Sequence, residues 1–227
     1  FSCARRNTGR RRPAEGYRPR GIVLTAPTAR AFLEYMTITV YYWGPAGGMN
    51  MYGRAIGIYA TLKAAGVAYV EAGPNARPEL SSFAPPAVDL GDGVVVGQAP
   101  ACLTALGEKF NLGGATFAEK ARVQQAMLDF NDIFGEHAKF VDDKERKDKW
   151  FSYLDKKIAA GGTGWAAGTA SPTIADFHGV FAFEWVVKKQ IGFSEYKSLT
   201  AWWDKIKAFP AVNELYASCV DGRTMIP

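Results

Sequence analysis

The chain has 227 residues, 48% of them hydrophobic and 13% aromatic, which is ample material for a packed core and excludes disorder throughout. Its longest apolar stretches, such as residues 180–187, are interrupted by Glu184 and followed by Lys188 and Lys189, well short of the ~20 apolar residues that a spanning helix needs, so an integral membrane protein is not expected. The net charge of +5 is concentrated at one end: residues 1–30 hold eight arginines against Glu15, a net +7, which leaves the rest of the chain at −2 with no electrostatic reason to bind nucleic acid.

Residues 1–35 form an arginine-rich, acid-poor extension with Pro13, Pro19 and Pro27 and little hydrophobic periodicity. Such stretches are typical of organellar leaders, and a chain that starts with Phe1 reads as imported and processed, a plastid being favoured over a mitochondrion, with the cytoplasm as the alternative. Arg5, Arg6, Arg10, Arg11, Arg12, Arg18 and Arg20 are the candidate contacts to a protein partner or assembly with an acidic surface, peripheral to a membrane complex at most. The other reading lays the extension against its own body.

Residues 36–110 read as a small α/β domain. Residues 37–43 are β-branched and aromatic and close on Gly44-Pro45, a strand. A loop through Gly47-Gly48 precedes a predicted helix over residues 52–65, ended by Gly66, and residues 67–70 make a second strand before Gly73-Pro74. Residues 85–96 read as two strands around Gly91-Asp92-Gly93, and residues 100–110 as a helix.

After a linker at residues 111–115, everything through residue 227 is predicted helical. Thr116 and Glu119 form a capping box that opens a long helix to Phe140, and residues 144–160 form a helix ended by Gly161-Gly162. Thr173 and Asp176 form a second capping box before an apolar helix to Val187, and residues 199–209 and 211–217 are helices split at Pro210. Cys3, Cys102 and Cys219 lack disulfide or zinc spacing, and His137 and His178 fall in helical stretches beside apolar residues, so no metal or cofactor is expected.

Four stretches carry a resemblance: Thr39-Val-Tyr-Tyr-Trp43, residues 53–71 from Gly53-Arg54 onward, residues 98–110 from Gln98-Ala99-Pro100 onward, and residues 164–177 ending in Asp176-Phe177. In this order the chain resembles the cytosolic glutathione transferases, most closely the sigma class and its crystallin relatives, over residues 36–220. The resemblance implies the fold class, α/β followed by all-α: a thioredoxin-like domain joined to a helical bundle. It also implies a possible homodimer and glutathione as substrate or ligand. Glutathione's thiol is mostly protonated at neutral pH, and a hydroxyl beside the sulfur favours the thiolate. Tyr42 matches the family's hydroxyl donor, and Arg54 adds positive potential. Gln98 and Ala99, Pro85 and Pro86, and Gln124 match the tripeptide-binding positions, while Met127 and Phe130 are expected at the acceptor pocket, with interhelical core as the alternative.

Several positions depart from the family pattern. The loop between Tyr42 and Gly53 is longer, and Ala99 stands where the family has a serine whose hydroxyl holds the γ-glutamyl carboxylate. Losing that bond costs about 1.5–3 kcal/mol, a roughly ten- to hundredfold loss of affinity. Either Pro85 or Pro86 is the family's cis-proline; with Pro86 in that role the preceding Pro85 offers no N–H. The segment between Val70 and Pro85 is short, and Gln124 replaces an acidic group. The expectation is a non-catalytic scaffold or accessory subunit docked in an organellar assembly through its extension, the alternative being an active glutathione transferase that conjugates hydrophobic electrophiles.

Overall fold

The computed structural model describes residues 37–227 except positions 80, 92, 220 and 221. The extension with Arg5, Arg6, Arg10, Arg11, Arg12, Arg18 and Arg20 therefore lies outside the described residues.

Strand β1 (Ile38–Tyr41) alternates buried and half-buried side chains, with Ile38 and Val40 in the core. It pairs in parallel with β2 (Tyr69–Ala72) and antiparallel with β3 (Ala87–Asp89), which pairs with β4 (Val95–Gly97), giving the order β2-β1-β3-β4. Strand β2 begins two residues later than the sequence predicts. Gly66, at φ 66°, ends the preceding helix, and the Val67 amide is taken by the Leu62 carbonyl, so the chain reaches the sheet only at Tyr69, opposite Ile38. Between β2 and β3 the described residues make only a short 3-10 turn, Pro74–Ala76.

Helix α1 (Ile56–Ala64) follows a 3-10 turn at Gly53–Ala55 and buries seven of its nine residues. It packs on α2 (Ala99–Lys109) and on the central helix of the second domain. That approach is close at Gly57, where a Cβ would lie 3.1 Å from the Cα of His178.

The helical domain comprises α3 (Phe117–Glu136), α4 (Lys144–Gly161), α5 (Ile174–Lys188), α6 (Lys197–Ala208) and α7 (Pro210–Ser218). Both capping boxes form. The second also ties helices together. The carboxylate of Asp176, fully buried, accepts from the Thr173 and Ala166 amides at 2.9 and 2.8 Å and from the Trp202 indole N–H at 2.9 Å. Burial pushes its pKa up, and these donors pull it back. Trp202 stacks on Phe130 at 4.8 Å and meets Phe183 edge-on, so removing its ring should cost about 3–5 kcal/mol. Among the described residues no helix is long and apolar enough to cross a membrane, and no cluster of three His, Cys, Asp or Glu side chains could hold a metal.

Candidate functional site

The site is built at one end of the sheet. Tyr41 pairs with Ala87 of β3, so the next residue, Tyr42, lies level with Pro86, and the Pro86 carbonyl accepts the Gln98 amide at 3.1 Å. The peptide between Pro85 and Pro86 is cis. This answers the question left open by the sequence: Pro86 is the cis residue, and Pro85 before it carries no N–H. Gln98 stands at φ 69° as the residue before α2, with its side chain exposed, and Ala99 opens the helix, buried. Free amides at a helix start favour an anion. Tyr42, Pro86, Gln98 and Ala99 thus share one corner.

The Tyr42 side chain follows Ile38 and Val40 on the buried face of β1, and the residue is 6% exposed. Its hydroxyl oxygen accepts the Arg54 backbone N–H at 2.8 Å. Gly53 makes this possible: it sits at φ 47°, and a Cβ there would come within 2.5 Å of the hydroxyl oxygen. Burial raises the phenol's pKa, opposed by the Arg54 amide and charge, so at neutral pH the hydroxyl keeps its proton and can donate it. Tyr41, one residue earlier, is on the other face of the strand.

The Arg54 side chain is exposed and stacks over Phe134 of α3, 4.6 Å from guanidinium carbon to ring centroid. Phe134 in turn meets Phe181 at 4.5 Å, His137 at 5.4 Å and Trp185 at 6.2 Å. His178, one turn before Phe181, is 1% exposed with neither ring nitrogen hydrogen-bonded, and burial, then the Arg54 charge, lowers its pKa to about 4.

Of the two readings of Met127 and Phe130, their burial fits interhelical core rather than an acceptor pocket. Met127 and Phe130 are fully buried between helices, where Phe130 stacks on Trp202. An apolar stripe on a helix has the same spacing whether it faces core or cavity. The partly open aromatic of α3 that meets Arg54 is Phe134, one turn beyond Phe130. Gln124 is exposed and its carboxamide oxygen accepts from the Thr104 hydroxyl at 3.0 Å, linking α3 to α2, while Asp129 is held by Lys157 at 2.6 Å.

The long loop after Tyr42 folds toward β2. Its 3-10 turn, Pro45–Gly47, lies against Gly73 and Pro74, on the opposite side of β1 from Pro86 and Gln98. Cys102 is buried, its thiol reaching the Val96 carbonyl at 3.1 Å, and burial raises its pKa to about 12, which makes it a poor nucleophile.

Residues 121–210 match the family model of the glutathione S-transferase C-terminal domain. No curated protein sequence matches the chain. Among solved structures, a glutathione S-transferase of Ascaris lumbricoides superposes with a TM-score of 0.66 at 22% identity, covering 80% of this chain and 97% of that one. A Caenorhabditis elegans glutathione S-transferase gives 0.64 at 21% identity with the same coverage. A monomeric glutathione S-transferase of the hookworm Necator americanus gives 0.64 at 20%, again covering 80% and 97%.

Proposed function

We propose, for a chain whose helical domain belongs to the glutathione S-transferase C-terminal domain family and whose described body has the cytosolic glutathione transferase fold, that it activates the thiol of glutathione through Tyr42 and conjugates it to a hydrophobic electrophile. The observation that carries this reading is the hydroxyl of Tyr42: the Arg54 amide occupies an acceptor lone pair at 2.8 Å, and the hydroxyl proton remains to be given. A protonated phenol donating to sulfur stabilises the thiolate, lowers the thiol pKa and raises the fraction of nucleophile at neutral pH. The Arg54 guanidinium adds positive potential. Gln98 and the amides opening α2 receive the γ-glutamyl end, and the electrophile lies against Phe134 beneath Arg54. Tyr42→Phe tests this: conjugation should fall at least about tenfold with little change in glutathione binding. An unchanged rate would remove Tyr42 from the chemistry.

A second reading is favoured by Ala99, Pro85 and the engaged Gln124, which together offer fewer contacts to the tripeptide. In that reading the protein is a non-catalytic accessory subunit, its arginine-rich extension lying on an acidic partner in an organelle, with a plastid favoured. Deleting residues 1–35 from the full chain should then abolish co-purification with the partner, and retained co-purification would exclude the reading. Association with a second copy is a further proposal, checked by sedimentation.

A further inference from the structure

The last described stretch, residues 222–227, runs alongside residues 50–53, and three backbone hydrogen bonds hold the two together. The Thr224 amide donates to the Asn50 carbonyl at 3.1 Å, the Tyr52 amide to the Thr224 carbonyl at 2.9 Å, and the Gly53 amide to the Met225 carbonyl at 2.8 Å. The next amide in the chain is that of Arg54, which donates to the Tyr42 hydroxyl. The C-terminal stretch therefore fixes the two residues immediately before the group that orients the phenol.

Arg223 ties the C-terminal stretch to the sheet. Its guanidinium pairs bidentately with Glu71 at the end of β2, at 2.9 and 3.0 Å, and lies 3.7 Å over the Tyr52 ring and 5.0 Å from that of Tyr59. Tyr59 donates to the same carboxylate at 3.2 Å. The arginine side chain is 11% exposed, so this pair is far less screened than a surface ion pair, and its planar fork fits both the carboxylate and the ring face.

We infer that Arg223 is a positioning residue for thiol activation: by clamping the C-terminal stretch to β2 and Tyr52, it sets the Arg54 amide that holds the Tyr42 hydroxyl. This rests on the thiol-activating reading of Tyr42. A side chain that only stabilised the fold would leave the ionisation of bound glutathione unchanged in whatever protein remained folded. A positioning residue changes it, because a displaced Arg54 amide frees the phenol to rotate its proton away from sulfur.

The test is a pH titration of the bound thiol, read by the ultraviolet absorbance of the thiolate, in the full chain and in Arg223→Ala and Arg223→Lys. In the wild type the bound thiol should ionise at least about one pH unit below free glutathione. A wild type without that depression overturns the Tyr42 reading itself, and this inference with it. Given the depression, Arg223→Ala should reverse most of it and lower kcat about tenfold while the glutathione KM moves less than about twofold, and Arg223→Lys should give an intermediate titration. An Arg223→Ala protein that titrates as the wild type overturns the inference and leaves the Tyr42 reading standing. If Arg223→Ala does not fold, Arg223→Lys decides: a raised ionisation pH supports the inference, and an unchanged one overturns it.

Discussion

His178 makes the fold acid-sensitive in a way that can be isolated by one substitution. Its ring is fully buried, neither nitrogen has a hydrogen-bond partner, and desolvation followed by the Arg54 charge lowers its pKa from 6.5 to about 4. The folded-state pKa is depressed, so between these values the unfolded chain binds the proton and the folded one does not. Stability is therefore held above about pH 6.5 and lost as the pH falls toward 4; from pH 7 to pH 5 the loss is roughly 2 kcal/mol. His178→Leu keeps the volume nearly constant and removes the titrating group together with two unpaired polar atoms. Urea unfolding of both proteins at pH 7 and pH 5 isolates the effect, because every other titrating group is common to both and cancels. The wild type should lose about 2 kcal/mol more than His178→Leu over that interval. Equal losses in the two proteins would refute the assignment of a neutral, buried histidine.

Ala99→Ser restores a hydroxyl at the start of α2 and should tighten glutathione binding about ten- to hundredfold, measured by calorimetric titration. Gly53→Ala places a Cβ within 2.5 Å of the Tyr42 hydroxyl at a left-handed φ, so it should destabilise the fold by about 1–3 kcal/mol in urea unfolding and depress conjugation more than Tyr42→Phe does. Trp202→Phe removes the indole donor to the buried Asp176 carboxylate and should cost about 1.5–3 kcal/mol by the same method.

The elements that were legible in the sequence are those whose signals are local. Thr116 with Glu119 and Thr173 with Asp176 mark helix starts by chemistry contained within four residues, and both boxes form. The motif at the end of the first strand and the Gly-Arg step single out Tyr42 and Arg54, but the hydrogen bond that joins them comes from the Arg54 backbone amide, which no side-chain pattern announces. Other features have no local signature. Whether Pro85 or Pro86 is cis depends on the register of β3 against β1 and β4, which neighbouring residues do not encode. Met127 and Phe130 share one helical face with Phe134, and only the tertiary packing of α5 and Trp202 against α3 separates core from open aromatic. Arg223 reaches Glu71 across 152 positions, so nothing in the periodicity of either segment announces the pair. His178 reads like any apolar-flanked histidine in the sequence; that its buried ring lacks hydrogen-bond partners is a property of tertiary packing.

The most direct test of the central claim is the ionisation of glutathione's thiol when bound to the full chain, compared between the wild type and Tyr42→Phe. With Tyr42 as the hydrogen-bond donor to sulfur, the wild type should ionise the bound thiol at least about one pH unit below the free tripeptide, and Tyr42→Phe should return it close to the free value. The same ionisation pH in both proteins would contradict the account.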